Sequence, residues 1–266
     1  MVELRDGANA EGAVSALRHV ANEADNLAGR TAGKTPMQIL DFYLSWAENA
    51  QRSLGNVLVQ DVIDELIHTQ GYWALRTTGG ETVRLTPQIL AEADRRKVVL
   101  NTMADDLERE SRRWRPATGM LVVPDTNMFL QEEAPIDQID WPTAVDSRGS
   151  VRLVIPIVVV YELDRAKRNN LTKKRARDSL AWLRTNLPPQ PEGRSRPLSP
   201  GYPETTVEVY VQGGPPHPED ADGLIIRFAG QLAKVSGLPT RLVTRDLTMR
   251  LRASTEGVAA MQLPDC

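Results

Sequence analysis

The feature that most constrains the fold is a short apolar run that ends at an acid. Leu121–Val123 is apolar at every position, and Pro124 and Asp125 follow it directly. Such a run predicts a strand that is buried on both faces of a parallel sheet. Ligands of open α/β sheets bind beyond the carboxyl ends of the strands, so Asp125 would face a crevice. Taken alone, an aspartate after a strand more often starts a turn or caps a helix.

Residues 1–117 have a different pattern from the rest of the chain. Apolar residues recur at helical spacing, and Thr35-Pro36 combines a favoured N-cap with proline at the first helical position. Gly71 is expected to break the chain between helices. We predict a mostly helical N-terminal domain over 1–117, which serves as an accessory domain or an oligomerisation arm.

Strand and helix patterns alternate over 118–266, which predicts an α/β domain of three layers, α/β/α, around a central parallel sheet. A proline-rich loop precedes the third strand. The predicted strands are Leu121–Val123, Val151–Ile155, a run from Thr205 to Gln212, Arg241–Thr244 and a short last strand at Val258–Gln262.

Four acids stand at corresponding places in this alternation. Asp125 and Asp246 follow strands, Glu162 lies in the helix after the second strand, and Asp222 opens the helix after the third. Carboxylates that converge on one crevice repel each other unless a cation neutralises them. Oxygen ligands select a hard ion, so the pattern predicts Mg²⁺ or Mn²⁺. The only cysteine, Cys266, excludes a cysteine-based zinc site.

Composition limits the classes of partner. The net charge is −3, so any nucleic-acid surface must be a local basic patch. The N-terminus has acids and no apolar core, and no apolar run approaches the ~18 residues that span a bilayer. We expect no membrane partner and a cytoplasmic location, which also fits the absence of paired cysteines.

A cluster of basic residues between Glu162 and Asp178 is the best candidate for that patch. Most charge runs are simply solvated helix faces, but this one begins directly after a predicted site acid. It predicts contacts to a nucleic-acid backbone with little base readout, because the run has no interleaved aromatic residues. The cluster comprises Arg165, Lys167, Arg168, Lys173, Lys174, Arg175 and Arg177.

The segments LVVPDTNMFL, LVIPIVVVYELDRAKR, EDADGLIIRFA and RLVTRDLTMRLRA resemble the PIN-domain nuclease family in order and spacing. The resemblance covers roughly residues 119–266 and leaves the N-terminal half unassigned. It implies a parallel sheet between helices, and Mg²⁺- or Mn²⁺-dependent hydrolysis of RNA. It places Asp125, Glu162, Asp222 and Asp246 at the metal, with Asn127 and Thr244 in support, while Asp220 is either a supporting residue or a cap.

The resemblance therefore implies an endoribonuclease in which a carboxylate-bound ion activates water and leaves 5′-phosphate and 3′-hydroxyl ends. The alternative is a PIN-like module that binds RNA or a protein with little turnover. A DNA nuclease of the flap type is a lesser alternative, because the chain lacks extra acids for a second metal. Protein partners would be a second copy of the chain or an antitoxin-like protein.

Overall fold

The computed structural model describes residues 1–78, 84–115, 119–132, 134–187, 195–199, 201, 204–211 and 220–264. The N-terminal region is helical, as predicted. Its helices are α1 (Ala10–Gly29), α2 (Pro36–Leu54), α3 (Gln60–Leu66), α4 (Gln70–Arg76) and α5 (Leu85–Trp114).

The predicted start of α2 is confirmed, and its local chemistry is complete. Thr35 Oγ1 accepts from the Gln38 backbone N–H at 3.3 Å, and the Gln38 side chain accepts from the Thr35 N–H at 3.0 Å. This reciprocal capping box satisfies two backbone donors that have no partner inside the helix. Pro36 occupies the first turn, where its missing N–H costs nothing.

The expected break at Gly71 is wrong, since Gly71 lies inside α4. A Cβ atom at this position would lie 2.5 Å from the carboxylate of Glu92 on α5. Glu92 is buried, and it accepts a hydrogen bond from Thr69 and pairs with Arg95 and Arg96. The glycine is there for close packing against this buried ion-pair cluster and does not end the helix.

The second region alternates strands with helices. Its strands are β1 (Met120–Pro124), β2 (Val151–Pro156), β3 (Arg196–Pro197), β4 (Thr205–Tyr210), β5 (Thr240–Val243) and β6 (Ala260–Met261). Its helices are α6 (Asn127–Leu130), α7 (Trp141–Ala144), α8 (Ile157–Ala166), α9 (Lys173–Asn186), α10 (Ala221–Ser236) and α11 (Leu247–Thr255).

These strands form one sheet in the order β3-β4-β2-β1-β5-β6. All neighbouring pairs are parallel except β3 with β4, so the predicted central parallel sheet is present and has one antiparallel edge strand. The antiparallel strand lies within the proline-rich segment, where its two residues add an edge to β4. The predicted α/β fold is otherwise confirmed.

The topology places a crevice beside β1. From β1 the chain moves outward to β2 and β4, and it then returns through α10 to β5 on the other side of β1. Connections therefore leave β1 and β5 in opposite directions, and ligands of open α/β sheets bind at such a switch point. The apolar residues of β1 that set this geometry, Leu121–Val123, are fully buried.

The chain divides into two compact units, Met1–Arg112 and Arg113–Cys266. The predicted domain boundary between residues 117 and 118 lies outside the described residues and stays a prediction. Among the helices that the structure describes, none combines the length and apolar character needed to cross a bilayer.

Candidate metal centre

Asp125 directly follows β1, and its backbone continues the hydrogen-bonded pairing of β1 with β5 by one residue. Its backbone N–H donates to the Val243 carbonyl at 2.9 Å. Its side chain is only 2% exposed, yet both oxygens accept hydrogen bonds. Thr244 Oγ1 donates to Oδ2 at 2.8 Å, and the Thr126 N–H donates to Oδ1 at 2.6 Å. The carboxylate is therefore fixed in place by its neighbours.

Glu162 reaches the same place from α8, which begins directly after β2. The hydroxyl of Thr126 donates to Glu162 Oε2. Thr126 thus contacts both acids, because its backbone N–H binds Asp125 and its side chain binds Glu162. Thr126 is 7% exposed, and its bond to the partly exposed Glu162 is partly buried.

Asp246 is the N-cap of α11, and its Oδ1 accepts from the backbone N–H groups of Thr248 at 2.7 Å and Met249 at 3.2 Å. Its own N–H donates to Thr244 Oγ1 at 3.0 Å. The Thr244 hydroxyl therefore accepts from the Asp246 backbone and donates to Asp125. One threonine ties together the acids that follow β1 and β5.

The structure separates the two candidate acids at the start of α10. Asp220 is the N-cap: its Oδ1 accepts from the Gly223 N–H at 3.0 Å and from Arg252 at 3.2 Å. A Cβ atom at position 223 would lie 2.1 Å from this carboxylate, so glycine permits the close cap. Asp222 lies in the first turn, is partly buried, and interacts electrostatically with Asp125, Glu162 and Asp246.

The pKa values of Asp125, Glu162 and Asp222 are raised first by burial, and the charges of neighbouring acids add to the rise. Burial raises the pKa of Asp125, hydrogen bonds from Thr244 and Thr126 oppose the rise, and the charge of Asp222 adds to it. The pKa of Glu162 is raised by burial, against the bond from Thr126, and raised further by Asp125 and Asp222.

Asp222 shows the same effect. Its pKa is raised first by burial and next by the charge of Asp246, while Arg252 acts in the opposite direction. The Gly223 N–H and then Arg252 hold the pKa of Asp220 below its ordinary value, which fits a solvated cap. At the start of α10, the acid with the raised pKa, Asp222, therefore lies two residues after the acid with the lowered pKa, Asp220.

The donor set suits a hard divalent ion, since carboxylate oxygens are the ligands Mg²⁺ and Mn²⁺ prefer. Within the described ranges, no three His, Cys, Asp or Glu side chains stand close enough to form a ready-made metal group. Glu162 and Asp246 are turned toward Thr126 and the α11 backbone. Because Mg²⁺ usually keeps several waters, one or two direct carboxylates suffice to hold it. The mutual repulsion of these acids is what such an ion would relieve.

Sequence reasoning missed two contacts that shape this site. The sequence pattern does not single out Thr126, although this residue lies beside Asp125 in the segment LVVPDTNMFL. Arg245 forms a bidentate ion pair with Glu132, with nitrogen–oxygen distances of 2.6 and 2.9 Å. This pair joins the segment that follows α6 to the segment between β5 and α11, which contains Asp246. No spacing rule connects positions 132 and 245, so only the fold reveals the pair.

Asn127 supports the site through its backbone, whose N–H helps to hold the pKa of Asp125 down against burial. Its side-chain Oδ1 instead accepts from Gln131 Nε2 at 3.1 Å. The structure therefore brings the Thr244 side chain to Asp125, and it turns the Asn127 side chain along α6.

The basic cluster is spread over two helices and their connection. Lys167 pairs with Asp164, an exposed acid of α8. Arg165 lies three residues after Glu162 on α8; burial raises the pKa of Glu162, and the charge of Arg165 acts against that rise. Lys167 and Lys173 are partly exposed, and the remaining members are exposed, namely Arg165, Arg168, Lys174, Arg175 and Arg177.

Comparison with known proteins identifies the family of this chain. The family model described as PIN domain matches residues 122–264, which is more than half of the chain. Solved structures that match include a domain of a functionally unknown protein from Methanocaldococcus jannaschii, with 17% identity and a TM-score of 0.38. That match covers 55% of this chain and 92% of the other. No curated protein matches significantly. By the family match, the chain belongs to the PIN-domain family.

Proposed function

We propose that the second unit is a metal-dependent endoribonuclease. The observation that carries the proposal is that Asp125 lies buried beyond the end of β1, joined by Thr126 to Glu162 and by Thr244 to the backbone of Asp246. Burial raises the pKa of both Asp125 and Glu162, and the charge of Asp222 adds to both shifts. Buried acids that repel one another cost stability, and such arrangements cluster at functional sites. Membership of a family whose fold is of the nuclease type adds support, and the family's typical substrate is RNA.

In this proposal Asp125, together with Asp222 or Asp246, holds Mg²⁺ or Mn²⁺, and Glu162 helps. When bound, such an ion lowers the pKa of a coordinated water and neutralises charge on the phosphodiester. The chain supplies rigidity: Thr126 and Thr244 fix the carboxylates, so little reorganisation is needed during the reaction. Hydrolysis adds the water oxygen to phosphorus, breaks the bond to O3′ and delivers a proton to that oxygen.

Cleavage of a labelled RNA with Mn²⁺ or Mg²⁺ tests the proposal. We expect wild type to cleave, EDTA to abolish cleavage, and Asp125→Asn to lose at least about a hundredfold in rate, since it removes a charge at the centre of the site. Asp178→Asn is the matched control, because Asp178 is an exposed aspartate on α9 outside the acid group. Equal cleavage by wild type and Asp125→Asn would refute the site.

A binding module with little turnover is the second candidate. One observation favours it. Within the described residues, the carboxylates of Glu162 and Asp246 accept hydrogen bonds from the protein itself, and no three acids form a group that could hold a metal ion. An RNA gel shift in EDTA, followed by addition of Mn²⁺, separates the two. Retention without cleavage over a panel of RNAs supports the binding module, while product formation on adding Mn²⁺ supports the nuclease.

A further inference from the structure

One aromatic side chain stands out beside the acids. Among the described aromatic residues of the second unit, only Tyr161 is exposed, at 41% of its surface. Within the described ranges its hydroxyl makes no hydrogen bond and its ring contacts no other ring. Single exposed aromatics are common on protein surfaces, so exposure alone says little. What distinguishes Tyr161 is that it lies directly before Glu162 on α8.

Helix geometry gives the order of side chains around α8. Each residue advances about 100° around the axis, so Arg165 lies about 60° from Glu162, and Tyr161 about 40° further on. The surface of this helix therefore presents the acid, then the cation, then the aromatic ring. Tyr161 and Arg165 are four residues apart, which places their Cβ atoms about 6 Å from each other.

The direction of the side chains brings this pair toward the candidate site. Side chains on a helix lean toward its N-terminus, and α8 begins at Ile157, directly after Pro156 ends β2. Tyr161 lies about one turn into the helix, so its ring leans toward the carboxyl edge of the sheet. The same edge carries Asp125 and Glu162.

Arg165 is available for a substrate phosphate. Its charge acts on Glu162, yet it forms no ion pair with any residue that the structure describes. Its neighbour Lys167 differs, because Lys167 is engaged with Asp164. A guanidinium that is held near acids without pairing with one suits a phosphate, which it can bind through two parallel hydrogen bonds.

We propose that Tyr161 and Arg165 form a nucleotide subsite next to the scissile phosphate, in which the ring stacks on one base and the guanidinium binds the adjoining phosphate. The subsite rests on the proposed nuclease function. It requires an unpaired base, because the face of a paired base is covered by its neighbours in the duplex. Stacking tolerates any base, so the subsite selects strandedness and register along the strand rather than sequence.

Fluorescence anisotropy of a labelled single-stranded RNA in EDTA tests the subsite. We expect Tyr161→Ala to weaken binding about fivefold or more, and Tyr161→Phe to bind like wild type, because phenylalanine keeps the stacking face. Trp73→Ala controls for the loss of an exposed aromatic, since Trp73 is 50% exposed in the other unit. Melting curves of each variant check that it is folded.

A series of abasic RNA oligonucleotides locates the base that Tyr161 contacts. When oligonucleotides carry one abasic position in turn, one position should weaken wild-type binding and leave Tyr161→Ala unaffected, because the stacking partner is already gone. If wild type binds and cleaves RNA but Tyr161→Ala matches it on every oligonucleotide, the subsite is refuted and the nuclease stands. If wild type neither binds RNA nor cleaves it with Mn²⁺, both proposals are refuted.

Discussion

Asp125→Asn should stabilise the protein without metal and abolish its stabilisation by metal. The folded-state pKa of Asp125 is raised mainly by burial. A raised acid pKa means that the folded state takes up a proton more readily than the unfolded chain does. The ionised carboxylate therefore opposes folding, and stability falls as the pH rises through the folded-state pKa. The amide mimics the uncharged form, so the gain should be present at pH 7.5 and vanish at low pH.

The hydrogen bonds at Asp125 limit the size of this gain. The amide oxygen can still accept from the Thr126 N–H, but the amide nitrogen cannot accept from Thr244. It can donate to Thr244 Oγ1, which already accepts from the Asp246 N–H and has a second lone pair. One bond is thus reversed, and the Thr244 proton loses its acceptor, at a cost of about 1 kcal/mol.

The net gain should be about 0.5–2 kcal/mol, the range typical of substitutions that relieve a destabilised site. For a unit of this size that raises Tm by about 1–8 °C. Manganese at a hundred times its Kd stabilises a binding-competent protein by about 2.7 kcal/mol. Wild type should gain this and the variant should not, so at that concentration Mn²⁺ should raise the Tm of wild type above that of the variant.

Differential scanning fluorimetry with EDTA and with a series of Mn²⁺ concentrations measures both effects. Asp178→Asn, a matched control on an exposed aspartate, should follow wild type throughout. If Asp125→Asn is less stable than wild type in EDTA at pH 7.5, the buried charge of Asp125 does not oppose folding. If Mn²⁺ raises the Tm of both proteins by the same amount, Asp125 does not hold the metal.

Three other substitutions test separate parts of the structure. Thr126→Val removes the hydroxyl that holds Glu162 and should lower kcat about 10- to 100-fold with a nearly constant KM for RNA; an unchanged kcat would mean that the bond is not needed. Arg245→Met leaves the buried Glu132 unpaired and should cost about 1–3 kcal/mol in urea unfolding, a loss that Glu132→Leu in the same chain should largely restore. Thr35→Ala removes the α2 cap and should lower the free energy of unfolding by about 1 kcal/mol, while RNA cleavage stays normal. A loss of cleavage would contradict the assignment of that cap as purely structural.

Local chemistry could be predicted because its partners lie within a few residues. The Thr35 capping box joins positions three apart, and a continuous apolar run such as Leu121–Val123 predicts by its composition that it will be buried. The alternation of strands and helices then predicts an α/β sheet, which the structure confirms with one antiparallel edge strand as the exception. Sequence reasoning failed at Gly71, where the deciding neighbour, Glu92, is 21 positions away and reaches it only by helix packing.

The sequence alone determined which acids follow strand ends, because residue type and strand pattern are both local properties. Only the tertiary structure decided how those acids are held. Thr244 meets Asp125 across 119 positions, and Thr126 meets Glu162 across 36. These contacts depend on the register of neighbouring strands and on the crossover that brings β5 beside β1. Spacing along a chain carries no information about such distances, since the connecting segments can vary in length while the strand ends stay adjacent.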